Sequence, residues 1–137
     1  MAGLVPEQYE KGSQVSLRDE VVKRGYAITA GDVGHPYLVA ALMKYGMNDL
    51  LNKMTNITDR PGYGYQVKNG ATTLTEEWDG PDPNRPHGSQ NHLMLGSIDE
   101  WFFAGLGGIG SIRTNQEFNH VTICHISQRI WIFVRYR

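Results

Sequence analysis

The run GATTLTEEWDG at residues 70–80 gathers Glu76, Glu77 and Asp79 around Trp78, directly after a stretch rich in Tyr and Gly. Carboxylates beside a flat ring suit a carbohydrate site. The carboxylate handles protons or water, and the ring packs on the apolar face of a sugar. On pattern alone the same cluster also reads as a solvated helix surface. Other groups offer less chemistry. In a strand, His120 and Cys124 would share a face while His125 points away, so three convergent metal ligands are not expected. A single cysteine excludes an internal disulfide and any multi-cysteine zinc site. Asn56-Ile57-Thr58 has the form of a glycosylation acceptor and is read as a chance match. No metal and no cofactor are expected.

The elements that must position the acidic run are mostly helical. The Leu17, Val21 and Val22 spacing predicts an amphipathic helix over 14–23, stopped by Gly25. After the turn-rich GDVGHP, Pro36 stands where a first helical residue belongs, and a buried helix follows to Tyr45, closed by Gly46. Asn48 is expected to cap a second helix carrying Leu50, Leu51 and Met54, which makes an antiparallel αα-hairpin with the first. Two irregular polar stretches, 56–69 and 79–89, are long enough to suggest a role. From Asn91 to Leu106 the residues Leu95, Ile98, Trp101, Phe102 and Leu106 form a helical stripe, with Trp101 and Phe102 read as core. The segments 120–126 and 130–136 are β-branched and aromatic, as strands are.

Bulk properties set limits on partners. The chain has 137 residues, 40% hydrophobic and 20% charged, with 13 basic and 14 acidic residues. A net charge of −1 gives no electrostatic case for nucleic acid or a membrane surface. The N-terminal MAGLVPEQYEKGSQ lacks the apolar core of a signal peptide, so the product as written is expected in the cytoplasm.

GATTLTEEWDG resembles the GATTxWExWDG signature of bacterial α-L-rhamnosidases, which are six-hairpin (α/α) glycosidases. SQNHLMLGSIDEW at 89–101 resembles their S-x-N-H-…-G-S-x-x-E-W segment. TAGDVGHPYL at 29–38 and GYGY at 62–65 resemble their TGD-x-G-x-P-x-L and W-G-Y elements. The similarity runs in order from about Leu4 to about Gly110.

The resemblance implies a mainly α fold: a partial (α/α)6 toroid of antiparallel helical hairpins over 1–110. A truncated tail, 111–137, would then hold one or two strands from the start of a C-terminal β-sandwich. It implies an inverting hydrolysis of terminal α-L-rhamnose, with Glu76 at the general-base position. Glu77 falls where the family usually has Arg and receives no catalytic role. Trp78 and His92 match positions that line the pocket, and Asn91, His35 and Tyr63 are further candidates for binding substrate. Thr75 and Tyr63 stand where the family has Trp, which shrinks the aromatic wall, and His35 stands where the family often has Thr.

The family's general acid lies in an upstream acidic segment that has no counterpart here. Twelve helices of ~12 residues with ~5-residue connections also need about 200 residues, so this chain is not expected to close the barrel. The expected partner is a rhamnose-containing glycoside. Little turnover is expected from the isolated chain, together with self-association or pairing with an upstream half. Intact family members may be secreted or periplasmic. The rival readings are a carbohydrate-binding or split-enzyme fragment, and the remnant of a truncated gene.

Overall fold

The computed structural model describes residues 5–111 and 121–123. Four helices come first: α1 (Glu7–Lys23), α2 (His35–Lys44), α3 (Asn48–Asn56) and α4 (Tyr63–Lys68). A 3-10 turn at Leu93–Ser97, an α-helical step at Ile98–Glu100 and a π-helical turn at Trp101–Leu106 follow. Two short strands, β1 (Ile109–Ser111) and β2 (Val121–Ile123), pair antiparallel with Ile109 opposite Ile123 and Ser111 opposite Val121. No helix among the described residues is long and apolar enough to cross a membrane.

The chain divides into two compact units, Met1–Ile98 and Asp99–Arg137. In the first unit, α2 and α3 pack on one another as a helical hairpin. Val39 and Leu42 of α2 and Leu50, Leu51 and Met54 of α3 are buried, joined by Val21, Ile28, Leu95 and Ile98. Each such side chain contributes roughly 1.5–3 kcal/mol through removal from water. The hairpin link is three residues long because Gly46 takes a left-handed φ of 66°. That turn lets Met47 N donate to Leu42 O at 2.8 Å and Gly46 N to Met43 O at 3.0 Å, satisfying the last carbonyls of α2. The same pair of bonds closes α1 at Gly25 and α4 at Gly70.

Several expectations are corrected. Helix α1 starts at Glu7, seven residues before the expected Gln14, because Pro6 is preset for a helix entry and Glu7 and Glu10 favour the first turn. Asn48 is not a cap: it is the first residue inside α3 and buried, with Met47 in the flanking position. The stretch 56–69 is not wholly irregular, since α4 lies in it. Residues 91–106 are not one regular helix. Leu95, Ile98 and Trp101 are buried at intervals of three, the spacing a 3-10 turn aligns, whereas Phe102 is 46% exposed and not core.

The first unit keeps little of α1 covered. Val21 is the one buried residue of that helix, while Tyr9, Val15 and Val22 are exposed. Ion pairs Arg18–Asp49 and Glu10–Lys44 hold α1 to the hairpin. In the second unit, Trp101 is fully buried. The expected strand at 120–126 is seen at Val121–Ile123, and its partner β1 follows directly on the helical turns. The expected strand at 130–136 and the residues His120, Cys124 and His125 lie outside the described residues.

Candidate functional site

The acidic run is neither helix nor simple loop. Residues 73–76 lie alongside 89–92, held by a short ladder of hydrogen bonds. Glu76 N donates to Ser89 O at 2.9 Å, and His92 N donates to Leu74 O at 2.8 Å. The Thr73 hydroxyl donates to the Gln90 carbonyl. The pairing brings together two sequence motifs thirteen residues apart, so that Glu76 neighbours Ser89 and Leu74 neighbours His92. Ser89 N also donates to the Glu76 carboxylate Oε2 at 2.9 Å, which orients that side chain. Glu76 and Asn91 are exposed, and His92 is half-buried.

Between the paired segments, residues 79–88 make a compact turn. Gly80 N donates to Glu77 O, and His87 N to Gly80 O, each at 3.0 Å. The Gln90 amide donates to the carbonyls of Gly80, His87 and Gly88 at 3.2, 2.8 and 3.4 Å. His87 Nε2 lies 3.2 Å from Asp79 Oδ1. The Arg85 carbonyl at its other ring nitrogen, then the Asp79 carboxylate, hold the His87 pKa above its ordinary value. Gly88 turns the chain back with φ 65°; a Cβ there would lie 3.0 Å from Glu77 Cγ and 3.6 Å from Glu76 Oε2.

Trp78 is the centre of an aromatic cluster. Its indole Nε1 donates to Ala30 O at 2.8 Å, fixing the ring against the loop before α2. His35, at the start of α2, meets the Trp78 ring edge-on with centroids 5.1 Å apart. Tyr63, at the start of α4, does the same at 4.9 Å. His35 Nε2 is 2.8 Å from Tyr63 Oη, and the Tyr63 hydroxyl donates to the Leu95 carbonyl. His35 is only 1% exposed, and burial pushes its pKa down to about 4, so the ring is neutral at physiological pH. Trp78 remains half-buried.

Beneath Glu76 and Glu77 lies a buried polar support that the sequence did not single out. Gln66 and Thr75 are buried. The Glu77 carbonyl accepts from Thr75 Oγ1 at 2.7 Å and from Gln66 Nε2 at 3.3 Å, and Thr75 N donates to Gln66 Oε1 at 3.4 Å. Gln66 sits nine residues before Thr75 in a stretch without apolar period, so no pattern marked it. Thr75 drew notice only as a departure from Trp. Its burial shows that it carries hydrogen bonds inward.

All six expected site residues therefore fall in the first unit, in two adjoining groups. Tyr63, His35 and Trp78 form the aromatic cluster, and Glu76, Asn91 and His92 lie on the two paired segments. Groups of three or more metal-ligating side chains are absent among the described residues. The exposed Glu76 and the half-buried Trp78 thus lie two residues apart in a loop that packs on a helical framework.

The comparisons with known proteins identify the class. Residues 1–106 match the bacterial alpha-L-rhamnosidase 6 hairpin glycosidase domain, and the chain belongs to that family. An alpha-L-rhamnosidase of Streptomyces avermitilis is 30% identical over 115 residues, 80% of this chain and 11% of that protein. One of Alteromonas sp. is 29% identical over 111 residues, 77% of this chain and 12% of that protein. Among solved structures, the S. avermitilis enzyme complexed with L-rhamnose superposes with a TM-score of 0.72 at 30% identity, over 80% of this chain and 11% of its own. The enzyme of Dictyoglumus thermophilum gives a TM-score of 0.68 at 32% identity, over 79% and 12%. The chain thus spans roughly an eighth or less of these relatives' length, and its helices are part of an (α/α)6 toroid.

Proposed function

We propose that this chain carries the general-base half of an inverting α-L-rhamnosidase site. Glu76 takes a proton from the water that attacks the anomeric carbon of a terminal rhamnose. The glycosidic oxygen leaves with a proton from a second carboxylic acid on another segment. An inverting pair needs its carboxyl groups ~6.5–9.5 Å apart on opposite faces of the ring. The observation that carries the reading is the hydrogen bond from Ser89 N to Glu76 Oε2, which orients an exposed carboxylate two residues from Trp78 and ties it to the segment that continues into Asn91 and His92. Family membership supports rhamnose as the sugar.

Trp78 offers its face to the apolar side of the sugar, and His92 and Asn91 offer polar atoms to its hydroxyls. Tyr63 and His35 stand behind Trp78; His35 is buried and contributes through the cluster instead of through exposed atoms. Without the acid the isolated chain turns over little substrate, because the displacement needs both carboxyl groups. The apolar residues exposed on α1 favour association with a further hairpin, supplied by another copy or by a separate upstream half.

Hydrolysis of an aryl α-L-rhamnoside tests the reading. The 137-residue chain is assayed alone and after mixing with a polypeptide spanning the upstream hairpins of the S. avermitilis relative. The expected result is negligible release of phenol from the chain alone and clear release from the mixture, with β-L-rhamnose as the first-formed sugar. First-formed α-L-rhamnose would rule out direct attack by water activated at Glu76. Full activity of the chain alone would show that the acid lies within it.

A further inference from the structure

The protons of the aromatic cluster can be counted. The Tyr63 hydroxyl has one proton and meets the Leu95 carbonyl oxygen and, at 2.8 Å, His35 Nε2. A carbonyl has no proton to give, so Tyr63 donates to Leu95, and the contact with His35 needs a proton from the imidazole. The other ring nitrogen, Nδ1, is buried without a hydrogen-bond partner among the described residues.

The alternative tautomer, with the proton on Nδ1, fares worse on both counts. It would leave either two facing lone pairs at 2.8 Å or a Leu95 carbonyl without its donor, and it would bury an unsatisfied N–H. An orphaned buried donor is rarer and costlier than an under-satisfied acceptor.

We propose that His35 is a positioning residue, held as the neutral Nε2–H tautomer, which donates to Tyr63 and through it locks the Leu95 carbonyl, setting the aromatic seat of Trp78. The two bonds join three segments far apart in sequence: the start of α2, the start of α4 and the turn at Leu93–Ser97 that follows Asn91 and His92. Both rings of the pair meet Trp78 edge-on, and the Ala30 carbonyl that accepts the indole N–H lies five residues before His35. Misplacing either ring removes one wall of the seat. The inference rests on proton placement and holds or fails independently of the role of Glu76.

Nitrogen NMR of the labelled 137-residue chain at neutral pH reads the tautomer directly. The expected pattern for His35 is a protonated Nε2 and a bare Nδ1. A protonated Nδ1, a doubly protonated ring or rapid averaging would overturn the proposal, and none of these readouts needs a variant. Tyr63→Phe is then expected to release the ring into mixed tautomers and to speed exchange of the Trp78 indole N–H roughly tenfold, as loss of one net hydrogen bond allows. His35→Gln, which keeps an N–H donor near the Nε2 position, should restore slow indole exchange, whereas His35→Phe should not. Equal exchange in the Gln and Phe variants would show that His35 merely fills space.

Discussion

At Glu76 a single backbone N–H, from Ser89, holds one carboxylate oxygen of an exposed side chain, while two residues away Trp78 is tied down by its own N–H and two neighbouring rings. The exposed carboxylate and the fixed ring are what the base role proposed for Glu76 requires. His35 gives this scale its clearest pH signature. Its folded pKa of about 4 lies below the ordinary 6.5, so the unfolded chain binds the proton first as pH falls. Stability is therefore full above pH 6.5 and declines on acidification until about pH 4, by up to about 3 kcal/mol. Urea denaturation at pH 7 and at pH 4.5 checks this, and His35→Gln should remove most of the His35 part of the difference. Glu76, Trp78 and His92 stand out in the sequence through their motif matches. The bond between His35 and Tyr63 does not, because it joins positions 28 residues apart that no local spacing relates.

At the scale of elements, the hairpin α2–α3 was visible in the sequence because its signals are local. Pro36 marks the entry, Gly46 the exit, and Leu50, Leu51 and Met54 supply an apolar face. The pairing of 73–76 with 89–92 was not visible, since it forms between two polar loop segments with neither alternation nor a two-residue turn. What enables it is Gly88, whose left-handed backbone returns the chain to Glu76. Gly88→Ala is expected to cost about 1–2 kcal/mol from backbone strain, with further crowding because the new methyl meets Glu77 Cγ at 3.0 Å. Urea denaturation should show the loss, and faster amide exchange at Ser89 should show that the donor to Glu76 has loosened. The mixed helical turns of 93–106 escaped prediction for a related reason. An i, i+3, i+4 stripe assumes 3.6 residues per turn, and this segment changes its pitch twice within fourteen residues.

For the whole molecule, family membership rests on ordered motifs that span most of the chain, and the architecture follows from it. The α2–α3 hairpin buries its apolar face, while Tyr9, Val15 and Val22 of α1 stay exposed. The family match names a glycosidase domain, whereas a net charge of −1 and ordinary hydrophobic content point to no class of partner. In the proposed mechanism Glu76, and not its neighbour Glu77, activates the attacking water. The direct measurement is kcat/KM for an aryl α-L-rhamnoside with the chain complemented by the upstream hairpins, comparing Glu76→Gln with Glu77→Gln. A loss of at least ~10²-fold is expected for Glu76→Gln, the contribution of a general base, and a rate near that of the unmodified protein for Glu77→Gln. The reverse pattern, or an equal loss in both, would contradict it.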